Sequence, residues 1–91
     1  INYATSMYDP IIEVIKNKNG LLEVELSTEV KDLTIYYTLD NAIPNQYHPM
    51  YNRPIVLSED VDMLRLVTYR NNKPIGKLIN ISSEELAKRV K

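Results

Sequence analysis

Apolar and polar side chains alternate along most of this chain, with the period of two that marks strands half-buried in a sheet. In Leu22-Glu-Val-Glu-Leu-Ser27 the aliphatic residues Leu22, Val24 and Leu26 fall on one side, and Glu23, Glu25 and Ser27 on the other. One face is therefore predicted to be buried and the other wet. Ile11 to Lys16 forms a strand before it, and between the two lies Asn17-Lys-Asn-Gly20, whose Asn19-Gly20 pair is a strong hairpin signal. Leu33, Ile35 and Tyr37 alternate with Thr34, Tyr36 and Thr38, which predicts a third strand over Ile35–Thr38. Ile55–Leu57 and Met63–Arg70 continue the series, and in the longer one Leu64, Leu66 and Thr68 oppose Arg65, Val67 and Tyr69. Asn71-Asn72-Lys73-Pro74 reads as a turn, after which an unbroken closing strand is expected over Ile75–Ile81.

The period changes at the C-terminal end. Ser82-Ser83-Glu84-Glu85 matches a capping box, with Ser82 as N-cap and Glu85 reaching back to it. Glu84 and Glu85 then sit at the positive end of the helix dipole, and Lys88, Arg89 and Lys91 near the negative end. Leu86 and Val90, four apart, form one apolar stripe, and a helix this short needs something to dock on. At the other end, Asn2 to Pro10 shows no period. The expected organisation is a lead-in or linker from an upstream domain over 1–10, a β-sandwich over 11–81 and a short helix over 82–91. The fold class predicted is all-β: an immunoglobulin-like antiparallel β-sandwich of about seven strands with a short C-terminal α-helix. Its core is expected to contain Ile12, Val14, Leu22, Val24, Leu26, Ile35, Tyr37, Leu64 and Leu66.

Composition narrows the function classes. Ninety-one residues make one domain, and an apolar fraction of 44% is ordinary for a globular chain. No run approaches the ~20 apolar residues of a membrane span. The N-terminus carries no charged segment followed by an apolar one, so no signal peptide is expected there, and Ile1 in place of Met suggests a piece of something longer. A net charge of −1 with cations scattered from Lys16 to Arg70 argues against a nucleic-acid partner, which calls for a basic patch. Zero cysteine excludes disulfides, thiolate metal sites and cysteine nucleophiles.

The candidate chemistry is sparse. Glu59, Asp60 and Asp62 offer carboxylates on a turn, where they read as solvated groups and not as a glycosidase pair held about 5–10 Å apart. Calcium wants 6–8 oxygen ligands, and a loop with no glycine turn spaces these acids poorly for it. His48, the single histidine, has no cysteine or second histidine as a metal partner. Asn80-Ile81-Ser82 is formally a glycosylation acceptor but straddles a strand end and a helix cap, and reads as a chance match. No catalytic residue, metal ligand or cofactor is expected. The tyrosines are the more interesting group. Tyr37 and Tyr51 are assigned to the core, and Tyr36 and Tyr69 read as cross-strand neighbours; by pattern Tyr36, Tyr47 and Tyr69 also remain as possible glycan contacts.

One stretch carries a family resemblance. Ile35-Tyr-Tyr-Thr-Leu-Asp-Asn-Ala-Ile-Pro44 is followed by Tyr51-Asn-Arg-Pro-Ile-Val-Leu-Ser58, and Leu64-Arg-Leu-Val-Thr-Tyr69 comes next. This order resembles the chitobiase/β-hexosaminidase C-terminal domain, found at the C-terminus of glycoside hydrolase family 20 β-N-acetylhexosaminidases. That pattern usually has a glycine after the aspartate, and here Asn41 stands in its place, the next best residue for a left-handed turn. Asn2-Tyr3-Ala4 looks like the exit from the catalytic barrel of such enzymes. The resemblance implies a non-catalytic accessory or spacer domain, with the upstream catalytic domain as its partner and a periplasmic or extracellular setting. The catalysis would reside in a (β/α)₈ barrel, which takes ~250 residues and cannot lie in this chain. Two other function classes stand beside it. One is a carbohydrate-binding module built on exposed tyrosines, with at most weak glycan contact. The other is a free-standing interaction domain.

Overall fold

The computed structural model describes residues 8–90. The expectations placed on Asn2-Tyr3-Ala4 and Lys91 lie outside the described residues. Seven strands and one helix follow in chain order: β1 (Ile11–Lys16), β2 (Leu22–Ser27), β3 (Thr34–Thr38), β4 (Ile55–Leu57), β5 (Met63–Arg70), β6 (Lys73–Pro74), β7 (Ile79–Ser82) and α1 (Ser83–Lys88). They form two antiparallel sheets. One has the order β1-β2-β4; in the other β5 is central, with β3 on one side and β6 and β7 on the other. The fold is the all-β sandwich with a short C-terminal helix that the alternation predicts.

The first hairpin shows how local chemistry fixes register. Asn17 accepts backbone N–H bonds on its side-chain oxygen from Asn19 (2.9 Å) and Leu21 (3.0 Å). Gly20, at φ 81°, donates to the Asn17 carbonyl at 3.0 Å. Only a residue without a Cβ takes that backbone freely. The loop so closed pairs Lys16 with Leu22 and Val14 with Val24, which sets Val14, Val24 and Leu26 on the inner face.

The core lies between the sheets. Val14, Val24, Leu26, Ile55 and Leu57 from one sheet meet Ile35, Leu64, Leu66 and Ile81 from the other, with Leu86 of α1 closing one end. Ile12, Leu22 and Tyr37 pack against this cluster while only partly buried, so all nine expected core residues take part.

The closing strand departs from the unbroken Ile75–Ile81 segment. Asn71 and Asn72 both take positive φ (52° and 68°), which turns the chain back within two residues and pairs Arg70 directly with Lys73. Lys73 and Pro74, read from sequence as turn, are thus β6. The chain then bulges: five steps from Pro74 to Ile79 face three from Tyr69 to Leu66. Within the bulge Ile75 donates to the carbonyl of Thr68 at 2.9 Å. The ladder resumes as β7.

The helix also differs in detail. Ser82 caps it, accepting from the N–H of Glu85 at 3.1 Å. Glu85 does not complete the box as expected; its carboxylate lies 3.8 Å from Arg89 Nε, one turn on. Val90 is not on the helical stripe with Leu86. The helix stops at Lys88, and Val90 makes a parallel bridge to Val14 at the outer edge of β1. Backbone pairing at a free strand edge outweighs one more residue of a marginal helix.

Candidate functional site on the tyrosine face

The outer face of the second sheet is built from Thr34, Tyr36 and Thr38 on β3 and Arg65, Val67 and Tyr69 on β5. The segment between β3 and β4 is organised by its own side chains. Asn41 takes φ 69°, and Asp40 Oδ1 accepts from the N–H of Ala42 at 3.2 Å, so the chain reverses directly after β3. Thr38 Oγ1 donates to the Ala42 carbonyl at 2.6 Å. A second turn is closed at Asn45, whose Oδ1 accepts from Tyr47 N–H at 2.9 Å. The Asn45 N–H donates to His48 Nδ1 at 3.1 Å, and the His48 N–H donates back to the Asn45 carbonyl at 3.0 Å. The chain then returns along the edge of β3: Tyr37 donates to Pro49 (3.1 Å), Tyr51 to Ile35 (2.7 Å), and Tyr36 bridges Met50. The edge of β3 is thereby occupied by the protein's own backbone.

These contacts place the three candidate tyrosines in different settings. Tyr36 and Tyr69 meet edge to face, with centroids 5.0 Å apart and ring planes at 84°. Tyr69, expected to be free, is only 8% exposed, and its hydroxyl donates to Gln46 Oε1 at 3.3 Å. Its burial follows from register, since Tyr69 lies opposite Thr34 and one diagonal step from Tyr36, and from Gln46, which reaches over from the loop. Tyr47 stands apart at 86% exposure. Two perpendicular rings and one projecting ring do not make a flat stacking platform. Tyr47 does have neighbours in chain that were not singled out from sequence: Ile43 and Met50, both more than half exposed. The signal was there, in two large apolar residues flanking a tyrosine between Pro44 and Pro49. A shallow cleft of about 310 Å³ opens between β3 and this loop, lined by Tyr37, Thr38, Leu39, Asp40, His48 and Pro49.

The remaining candidates are placed apart from it. Glu59, Asp60 and Asp62 are exposed on the β4–β5 turn, where Asp60 Oδ1 accepts from the Ser58 hydroxyl at 2.6 Å. His48 is engaged within its own loop. Among the described residues no group of three or more histidine, cysteine or carboxylate side chains is placed to hold a metal ion. Asn80 is exposed on β7, and Ser82 of the same tripeptide is the helix cap. Among the described residues no helix is long and apolar enough to cross a membrane.

A family model described as Fn3 associated matches residues 24–84, which takes in β2 through the start of α1. No curated protein and no solved structure gives a significant match to the chain.

Proposed function

The chain belongs to the Fn3-associated family, as a β-sandwich accessory domain, and on that premise we propose that it is the C-terminal, non-catalytic part of a β-N-acetylhexosaminidase. Its role there is to support or space the upstream catalytic domain, its partner in the same chain. The observation that carries this reading is the turn after β3. Asn41 takes φ 69° at the position where the chitobiase/β-hexosaminidase C-terminal pattern has glycine, and Pro44, Tyr51 and Pro54 follow in that pattern's order. The test is enzymatic. The purified 91-residue chain is expected to release nothing from chitobiose-type substrates above a buffer blank. The protein encoded together with its upstream region is expected to turn them over, and to unfold at lower temperature once residues 11–91 are removed. Turnover by the short chain, or an upstream region without a glycosidase barrel, overturns the assignment.

A second reading is favoured by Tyr47, held exposed on a loop with its own hydrogen bonds: of the tyrosines Tyr36, Tyr47 and Tyr69, weak glycan contact would centre on Tyr47, since Tyr69 is buried. Titration with N-acetylglucosamine oligomers, followed by NMR, separates the two. A Kd below about 1 mM, or ~4 kcal/mol of binding free energy, with shifts centred on these tyrosines, makes the domain a carbohydrate-binding module.

A further inference from the structure

Three stretches far apart in sequence meet at one end of the sandwich and leave a cleft between them. Leu21 and Leu22 come from the β1–β2 hairpin, Leu57 and Val61 from β4 and the turn behind it, and Ala87 from α1. The shallow space they line is about 310 Å³, near the lower limit for pockets that hold a small ligand. Each wall is fixed by its own hydrogen bonds. The Asn17 N–H donates to the Leu21 carbonyl at 2.9 Å, and the Val61 N–H to the Ser58 carbonyl at 3.1 Å. The Ser83 N–H donates to the Asp62 carbonyl at 2.8 Å, which ties the start of the helix to the β4–β5 turn. The cleft is therefore preformed, and an occupant need not order its walls.

The lining is one-sided in charge. Its floor is aliphatic, while Glu59 on the turn and Glu84 on the helix bring an exposed carboxylate to two different walls. No lysine, arginine or histidine lines the cleft. Lys18 and Lys88 lie on the adjoining hairpin turn and helix without lining it, and Arg89 faces Glu85 at 3.8 Å. The cleft shares no residue with the one beside the Tyr47 loop.

We propose that this cleft receives an aliphatic side chain flanked by lysine or arginine, presented by a protein partner. Charge complementarity selects that occupant: the aliphatic group covers the leucine and valine floor while the cations meet Glu59 and Glu84. A shallow cleft covers only one side of what it holds, which suits a side chain projecting from a larger surface. Phosphate-bearing partners, nucleic acid and an anionic membrane among them, would meet two carboxylates and be repelled. A second copy has its Lys88-Arg89-Val90 run to offer, but there Arg89 faces Glu85 and Val90 bridges Val14. The proposal rests on the accessory-domain reading, for which it names the point of contact.

The test uses the isolated chain and a defined probe, so that its outcome does not depend on which enzyme lies upstream. The probe is a capped glycine–lysine–leucine–lysine–glycine peptide. Controls replace its leucine by serine, or both lysines by glutamate. Saturable amide shifts are expected over residues 20–22, 57–61 and 83–87, with a Kd of about 10 mM or tighter. Affinity should fall by about tenfold or more in E59Q/E84Q, which removes the charges and keeps the shape. The same loss is expected in A87W, which fills the cleft from an exposed helix position. Should A87W fail to fold, E59Q/E84Q decides alone. No saturable binding, equal binding of either control, unchanged affinity in E59Q/E84Q, shifts centred on the Tyr47 loop, or dimerisation of the chain through the cleft each overturns the proposal. If the peptide binds and no glycosidase lies upstream, the cleft stands and the enzyme assignment falls. The reverse result leaves the enzyme and removes the cleft.

Discussion

The two sheets have matching inner faces and opposite outer ones. In the first sheet the outer side is open: Glu13, Ile15, Glu25 and Val56 are exposed. In the second, Thr38, Val67 and Tyr69 of the equivalent layer are at most 8% exposed, and Thr34, Tyr36 and Arg65 are partly buried. The difference comes from one connection. The first hairpin is closed by a short loop that leaves its sheet bare, whereas the long passage from β3 to β4 folds back along β3 and sends Gln46 to Tyr69. A sandwich therefore need not have two wet surfaces. A single self-bonded loop covers much of one outer face, while the other keeps exposed aliphatic side chains.

That contrast makes quantitative demands. The yardstick is the shared core, where Leu66→Ala, at a fully buried position, should cost about 4 kcal/mol by denaturant unfolding. Tyr69→Ala, on an outer face, should cost about 3 kcal/mol if the loop makes that face a true interior. A loss under about 1 kcal/mol would show the loop to be a loose cover and would erase the distinction between the sheets. Loss of the turn that throws the loop back should be smaller. Asn41→Ala removes the short polar side chain that makes φ 69° tolerable and should cost about 1 kcal/mol, with Asn41→Gly near neutral. The smallest effect belongs to the open sheet. Ile15→Thr should change the unfolding free energy of the isolated chain by no more than about 0.5 kcal/mol. A larger loss there would mean that the open face contributes to this domain's own stability.

Sequence legibility follows the same division. β2 was readable residue by residue, because one face is buried and one is wet, and the period of two survives intact. In β5 the alternation picks out the inner residues Leu64 and Leu66 but not the burial of Val67 and Tyr69 on the opposite side. Tyr69 is bonded by Gln46 from a loop joining other strands, and no local period records that. The break between β6 and β7 was hidden for a different reason. The two asparagines announced a turn, but nothing in Lys73-Pro74-Ile75-Gly76 says that the ladder starts at once and then lapses. At the candidate site the turn residues Asp40, Asn41, Pro44 and Pro49 are legible as chemistry and Tyr36 and Tyr69 as cross-strand neighbours, while the perpendicular set of their rings needs the register. Glu85 illustrates the limit of motif reading: a capping box names two reciprocal bonds, and here one forms while the Glu85 carboxylate lies near Arg89 one turn on.

The bridge between Val14 and Val90 has a consequence for how the chain matures. The β1–β2 hairpin is local and can form while the rest of the polypeptide is still being made. Among the described residues its outer edge is bridged by Val90, near the opposite end of the chain, so a contact of long sequence separation completes an element that can form early. During synthesis the isoleucine-rich edge of β1 lacks this bridge until Val90 arrives. Truncation just before Val90 should leave the sandwich folded yet raise its tendency to associate, an outcome that light scattering of the two lengths side by side would register.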